Sequence, residues 1–460
     1  MKCGIDCMKR DRSVAVFYTC GTCNLKCRYC NIDKNPVLAK IDEKLAESFE
    51  GDYYINQLKK WFPNRDQLRK IETWGGEPFL HMERIYNLIN QVIEYYPYYD
   101  EFFSSTNFSY PEWTEKVFGL TDQFAKYPER RFRFTLQLSM DGPEYINDPN
   151  RGKGVTQRCV DNFNKLIEEI PERLPDNVDM DIVFKQTLDN YSVKMLCDKE
   201  KIIEYFQFFE NNFYVKINEL MKPNVRMSCT VPNTAVPSPV TKMDGEIFAH
   251  FCSICNEIEE ENIKNHYFRY YQSIMPYFGD RLPDSVGYEH CSLLCGSGTI
   301  MLCLLPDGLV STCHEGFTAL YEDYKKYAQS SNRTEDGTIN FSAWVKDDGP
   351  VYVLDEERYL EHENFMGYFN QTYTTARMAN MVALIRVLAL SDQIDRKYMN
   401  EDEALRAAMF MGTHASYCIK DNYNTTGSHS LTPVGLFKLL LNGAKEQIEK
   451  GERRMANLNG

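Results

Sequence analysis

The chain has 460 residues, of which 43% are hydrophobic and 26% charged, a balance that supports several packed domains and excludes wholesale disorder. Its formal net charge of −14 argues against a broad electrostatic grip on nucleic acid or on an anionic membrane surface. No apolar run approaches the ~18 residues that a membrane-spanning helix needs. The opening MKCGIDCMKRDRS also lacks the apolar core of a secretory signal, so a cytoplasmic protein with no nucleic-acid or membrane partner is expected.

Residues 1–230 alternate between strand and helix patterns. Val14–Tyr18 is a short apolar run that ends at a cysteine loop, and Ile41, Leu45 and Phe49 then step at helical spacing. Ile71–Trp74 reads as a strand ending in glycines, followed by one apolar helix face from Ile85, Leu88, Ile89, Val92 and Ile93. A third strand precedes Thr106-Asn107. Phe132, Phe134, Leu136 and Leu138 alternate as a strand with one polar face would, Val160, Phe163, Leu166, Ile167 and Ile170 return to helical spacing, and Ile182–Phe184 is again strand-like. Repeated strand–helix units predict an α/β fold with a parallel sheet, curled into a full or partial barrel or left open; the distinctive residues fall just after predicted strands, where a barrel carries its chemistry, which favours the barrel.

The proline-rich stretch Val231–Val240 marks a boundary. Residues 231–290 read as a linker and a polar helical segment. Residues 291–320 form a cysteine-rich hairpin turning at Pro306-Asp307-Gly308. Residues 321–460 read as an insertion, loop-like over 321–350, and a helical C-terminal region that includes Met378–Leu390 and a last helix opening near Ser430 and Pro433.

Sixteen cysteines without an export signal point to reduced thiols rather than disulfides, and most of them are clustered, which points to metal. Cys159, Cys197 and Cys229 stand apart and read as small buried hydrophobes. Cys23-Asn24-Leu25-Lys26-Cys27-Arg28-Tyr29-Cys30 is spaced C-x3-C-x2-C directly after the first strand. Three thiolates on one short loop hold three corners of a cubane iron–sulfur cluster and leave one iron open. The alternative is zinc with Cys20 as fourth ligand, although paired zinc knuckles stand farther apart than these cysteines do.

These residues resemble the cluster loop of radical S-adenosylmethionine (SAM) enzymes, in the spelling common to the SPASM/twitch subgroup. Trp74-Gly75-Gly76-Glu77-Pro78 matches that family's GGEP motif, and Leu138–Pro143 with Asp148, Asn150, Arg151 and Gly152 matches its S-x-D-G-P…D-x-N-R-G stretch. The resemblance implies a partial (β/α)6 TIM-type barrel and a [4Fe-4S] cluster on Cys23, Cys27 and Cys30. It also implies reductive cleavage of SAM to a 5′-deoxyadenosyl radical that abstracts hydrogen from a substrate. Gly75 and Gly76 would admit the cofactor's ammonium to their carbonyls, with the charge of Glu77 nearby. Ser139 would meet ribose or carboxylate, and Arg151 would pair with the carboxylate. Thr106 and Asn107 fall where the family places a ribose or amino-acid contact, with Phe108 replacing the usual glycine. Gln186 on the fifth strand and Tyr29 on the cluster loop complete the expected cofactor-binding set. No general acid or base is assigned.

Cys291–Gly296 followed by Gly308-x4-Cys313 resembles the opening half of a SPASM domain. Of its continuation only Cys418 is present, which implies a twitch-like domain with one auxiliary [4Fe-4S] cluster on Cys291, Cys295, Cys313 and Cys418. Cys252 and Cys255 are rival ligands, zinc on the same thiols is the alternative, and Cys303 reads as core. The subgroup implies a ribosomally made peptide or protein side chain as substrate, altered by crosslinking, epimerisation or oxidation. With so short a stretch before Cys23, the peptide's leader is expected on a separate leader-binding protein or on this chain's additional regions. A flavodoxin- or ferredoxin-type protein is the expected reductant. A small-molecule dehydrogenase or rearrangement enzyme is the alternative activity, and a non-catalytic zinc-binding scaffold the alternative outside enzymes.

Overall fold

Val14–Cys20 (β1) is apolar at nearly every position because it is covered on both faces, and all seven of its residues are buried. The computed structural model describes residues 13–30, 41–229, 233–234, 245–269, 301–306, 310–311, 314, 353–354, 389–390 and 396–400. After β1 come α1 (Asp42–Phe49), α2 (Tyr53–Trp61), β2 (Lys70–Gly75), α3 (Tyr86–Tyr95), β3 (Glu101–Thr106), α4 (Trp113–Ala125) and β4 (Phe132–Ser139). Next are α5 (Glu144–Arg151), α6 (Val155–Arg173), β5 (Val178–Lys185), β6 (Thr187–Leu188), α7 (Asn190–Met195), α8 (Lys199–Phe209) and α9 (Val215–Glu219). The remainder is β7 (Val225–Cys229), β8 (Asn233–Thr234), α10 (Gly245–Asn265), β9 (Met301–Leu304), β10 (Val310–Ser311) and β11 (Val353–Leu354).

The main sheet has the order β11-β10-β9-β1-β2-β3-β4-β5-β7, which runs from one edge to the other without closing. Every pair from β9 across to β7 is parallel, while β10 lies antiparallel between β9 and β11. The six parallel strands expected of a partial barrel are therefore present in order, and β9 adds a seventh beyond β1.

That addition ties part of the expected cysteine-rich hairpin to the main sheet. The β9–β10 hairpin forms, with Leu304 opposite Val310, but its first strand joins the barrel sheet instead of a separate cysteine domain. The physical reason is the run Met301–Leu305, too apolar on both sides for a hairpin standing alone. Leu302 and Leu304 enter the main core, while Cys303 and Leu305 pack in a second cluster with Val14, Val16 and Tyr18. Cys303 is thus core, as expected. Cys159 is also buried and donates its S–H to the Asn107 carbonyl, while half-buried Cys197 donates to that of Ile247. The side chain of Cys229, the 321–350 segment and the last helix near Ser430 lie outside the described residues, and the helices from 355 onward almost wholly so.

Away from β1, one face of the sheet is dry and the other polar, as the alternation along β3 and β5 shows. On β5, Val178, Met180, Ile182 and Phe184 are buried against the helices, while Asp179, Asp181, Val183 and Lys185 alternate with them and are half-buried. Phe184 sits among Phe213, Phe209, Phe163 and Phe108, with ring centroids 4.5, 5.8, 5.9 and 6.5 Å away. The polar face carries ion pairs between strands, including Lys70–Glu101 (3.2 Å), Arg133–Asp181 (3.5 Å) and Arg226–Asp181 (2.9 Å). Among the described residues no helix is long and apolar enough to cross a membrane.

Two substitutions separate these faces. Phe184→Ala removes a ring from a closed aromatic cluster and is expected to cost about 3–5 kcal/mol in urea denaturation. Arg131→Ala breaks a pair with Asp179 in which the arginine is 65% exposed, and is expected to leave the urea midpoint close to wild type.

Candidate metal centre

The sheet register slips at the end of β1, where Tyr18 lies opposite Trp74 and Cys20 opposite Gly75. This bulge launches the loop 21–30 across the C-terminal edge of the sheet. Asp42, at the start of α1, accepts the Gly21 N–H (2.7 Å) and fixes the take-off. Leu25 is buried and plugs the loop into the core, leaving Cys23 exposed and Cys27 and Cys30 half-buried, all as reduced thiols. The Cys23 sulfur is turned inward, accepting the Leu25 N–H (3.3 Å) and the Asn107 side-chain amide (3.6 Å). The Cys30 N–H donates to the Cys27 carbonyl (3.0 Å).

Burial pushes the Cys27 thiol up to about 11, against the pull of the Arg151 charge. Burial also raises Cys23, helped by Glu77 and by the neighbouring Cys27 and Cys30. These thiols resist ionising one beside another, and a metal bound there would supply the missing positive charge, with release of protons. Among the described residues no three His, Cys, Asp or Glu side chains could hold a single metal ion. A cubane does not ask for that convergence, because its cysteines bind different irons. The donor set fits a cubane held by three thiolates. Cys20, the fourth ligand of the zinc alternative, is instead buried and donates to the Glu77 carbonyl (3.1 Å).

Gly75 and Gly76 do permit a close approach, and it is to the cluster loop itself. A Cβ on Gly76 would stand 1.9 Å from the Thr22 carbonyl oxygen, and one on Gly75 would stand 2.6 Å from that of Cys20. The Gly76 N–H donates to the Cys20 carbonyl (3.1 Å) and the Glu77 N–H to that of Thr22 (2.8 Å). The Glu77 carboxylate is buried and committed to the protein. It accepts the Thr106 hydroxyl (2.6 Å), the Phe79 N–H (3.1 Å) and the Asn107 N–H (2.6 Å). Burial nevertheless raises Glu77 to about 7.

Thr106 and Asn107 are likewise engaged by protein groups. The Thr106 hydroxyl also accepts from Phe108 N–H (3.0 Å) and from Trp113 Nε1 (3.1 Å), which fills it. Asn107 donates to Asn24 Oδ1 (2.8 Å) and to the Cys23 sulfur, so it holds the loop. Arg151 likewise gives its fork to a protein carboxylate, Asp141, through Nε (3.0 Å) and an Nη (2.9 Å). The Tyr29 hydroxyl donates to the same carboxylate. One residue earlier, the Arg28 N–H donates to the Asn150 carbonyl (2.8 Å) and its guanidinium pairs with buried Asp189 (2.5 Å).

Ser139 ends β4, half-buried, and Gln186 follows β5, fully buried. The register of Ser139 opposite Lys185 places both at the C-terminal edge of adjacent strands. Trp74 stacks on His314 there, with ring centroids 3.7 Å apart and planes inclined by 9°. Cys291, Cys295, Cys313 and Cys418 lie outside the described residues. Of their rivals on α10, Cys255 is buried. Asp141, Asp189 and His314 were missed as site residues. Asp141 falls in the stretch that resembles the S-x-D-G-P motif but has no role of its own assigned there, Asp189 carries the signal of a helix N-cap, which it is, and His314 carries none.

No protein-family model and no curated protein sequence matches the chain. Among solved structures it is similar to native anSMEcpe with bound AdoMet, at 16% identity and a TM-score of 0.43, covering 65% of this chain and 74% of that one. It is also similar to native anSMEcpe with bound AdoMet and Cp18Cys peptide, at 14% identity and a TM-score of 0.40, covering 66% and 74%.

Gly76→Ala is expected to displace the Thr22–Cys23 backbone and to lower iron uptake on reconstitution by the share that the Cys23–Cys30 loop would hold, while far-ultraviolet circular dichroism stays close to wild type. Glu77→Gln turns an amide NH2 toward a backbone or hydroxyl donor and is expected to cost about 1–3 kcal/mol. Because folding raises this carboxyl from 4.5 to about 7, the folded state binds its proton more tightly. Its contribution is full below about pH 4.5 and is lost as pH rises through 7, by up to about 3 kcal/mol. Denaturation at pH 5 and pH 8 should show that fall in the wild type and not in Glu77→Gln.

Proposed function

We propose that the chain is a radical SAM enzyme of the SPASM/twitch subgroup that modifies a ribosomally made peptide or a protein side chain. The observation that carries the reading is the convergence of three separate stretches. The cysteine loop is hydrogen-bonded at its start to Gly76 and Glu77, and at its end to Asn150 and Asp141. Motifs that resemble the family one by one are thus built into one site at the C-terminal edge of a parallel sheet, where such folds place their chemistry.

In this reading Cys23, Cys27 and Cys30 hold the [4Fe-4S] cluster, which supplies the low-potential electron that reductive cleavage of SAM requires. The backbone of Gly75 and Gly76 and the side chains of Ser139 and Gln186 line the cofactor's side of the rim. Glu77, Thr106 and Asn107 keep the ends of β2 and β3 in register with the loop and work behind the cofactor. Cys291, Cys295, Cys313 and Cys418 hold one auxiliary [4Fe-4S] cluster. The peptide substrate is supported by the spelling of the cysteine hairpin, and the reductant by the need for an external electron.

Protein reconstituted anaerobically and treated with dithionite should convert SAM to 5′-deoxyadenosine. The variant with Cys23, Cys27 and Cys30 all changed to Ala should make none, yet retain about four irons on the auxiliary cluster. Persistent cleavage by that variant would refute the cluster assignment. Zinc in place of iron would refute the auxiliary one.

A further inference from the structure

We infer that the exposed side of the cysteine loop, with Lys26, Lys153 and Arg158 around it, is the docking face for an acidic one-electron carrier protein. The inference rests on the proposed iron–sulfur reading, because it names the surface through which that site receives its electron.

Around the loop the carboxylates turn inward and the cations outward. Glu77, Asp141 and Asp189 are buried. Half-buried Asp148 is spent on the Gly154 N–H, the Thr156 N–H (2.9 Å) and the Thr156 hydroxyl (2.6 Å). Lys26, Lys153 and Arg158 are exposed, and among the described residues none of the three pairs with a carboxylate. The loop's own contacts gather them. Asn24 donates to the Ser109 hydroxyl (3.0 Å) and Arg158 Nε to the Ser109 carbonyl (3.2 Å), so the α6 cation stands beside the start of the loop. The Arg28 N–H meets the Asn150 carbonyl, three residues before Lys153. The Arg28 guanidinium, although paired with Asp189, stays 39% exposed and lies 5.7 Å from the ring of exposed Tyr191, which borders the same surface. On α6 the exposed Asp161 accepts from Gln157 (2.8 Å).

A chain of net charge −14 repels an acidic partner at long range, so a productive encounter needs a local reversal of sign. Exposed cations contribute on-rate and orientation more than affinity, which suits a carrier that has to leave after delivery. Position decides what is delivered. The patch borders Cys23, the exposed cysteine of the loop, and electron transfer weakens steeply with distance, so a carrier docked here sits at the near edge of the cluster. A substrate has to reach the ends of β4 and β5 instead, where Ser139 and Gln186 stand. In the transfer the carrier's redox group loses one electron and the cubane gains it, with no atom exchanged.

The test is the rate at which reduced flavodoxin of net negative charge bleaches the clusters of the reconstituted full-length protein in a stopped-flow instrument, with dithionite as the small-molecule comparison. The double variant Lys153→Glu, Arg158→Glu should slow flavodoxin by about tenfold or more at low salt and leave the dithionite rate at the wild-type value. Lys59→Glu with Lys60→Glu makes the same change of charge on exposed residues at the end of α2, before β2 begins, and should stay within about twofold of wild type. Raising the salt should slow the wild type steeply and the first double variant little. Equal losses in the two double variants would reduce the effect to net charge and overturn the docking face, as would a flavodoxin rate unchanged by Lys153→Glu, Arg158→Glu. A matching loss with dithionite would assign the effect to a disturbed loop and overturn it too. Unchanged reduction together with lost binding of a polyglutamate peptide would replace the carrier by an acidic peptide. Wild-type protein that takes up no iron would overturn the proposed function. In that event calorimetric titration of the metal-free chain with flavodoxin decides the surface alone, salt-sensitive binding lost in the first double variant upholding it and its absence in the wild type overturning it.

Discussion

A carboxylate sealed from water must have its lone pairs filled, and Glu77 fills them from two strand ends. Its own loop supplies the Phe79 N–H, and the end of β3 supplies the Thr106 hydroxyl and the Asn107 N–H. Leaving any of these groups unpaired in the interior costs more than the bond itself contributes. The constraint then travels outward. Asn107, fixed at its backbone, holds Asn24 and the Cys23 sulfur, and the Glu77 N–H holds Thr22. The ends of β1, β2 and β3 are thereby set against one another by one side chain.

Buried carboxylates recur at the other end of the loop. Glu77 governs its start, while Asp141 and Asp189 fix Tyr29 and Arg28 at its finish. Asp189 also caps α7 through the Ser192 N–H (2.9 Å), so the helix start and the loop share one acceptor. The loop is thus anchored at both ends by bonds to the rest of the fold. The reacting groups of such a site are placed by a supporting shell of protein bonds.

Much of this was legible in the residues. The strands up to β5 announce themselves because a sheet with a dry face demands apolar side chains at period two, as at Phe132, Phe134, Leu136 and Leu138. The glycines were legible because only a missing Cβ allows backbones to pass as closely as Gly76 and Thr22 do. What the sequence does not disclose is the partner. Glu77, Thr106 and Arg151 have the chemistry to bind an amino acid's ammonium, hydroxyls or carboxylate, and the same chemistry binds Asn107, Phe79 and Asp141. Residue type specifies the kind of bond, and only the fold decides whether ligand or protein completes it. Asp189 shows the limit most plainly, since its local cap leaves a pattern and its ion pair with Arg28, on a distant loop, leaves none. The strand β9 escaped for a related reason, because four residues beside a cysteine motif read more naturally as part of that motif.

The pairing of β1 with β9 also governs when the molecule can be finished. Residues 14–17 hydrogen-bond on one side to residues 70–73, a local partner, and on the other to residues 301–304. During synthesis β1, and the loop it carries, therefore stays a sheet edge until residues 301–304 have left the ribosome. An apolar strand with one open edge is a template for wrong pairing, and contacts of such long sequence separation form late and slowly. The loop that leaves β1 is thus held on a strand whose second partner arrives more than 200 residues after its first.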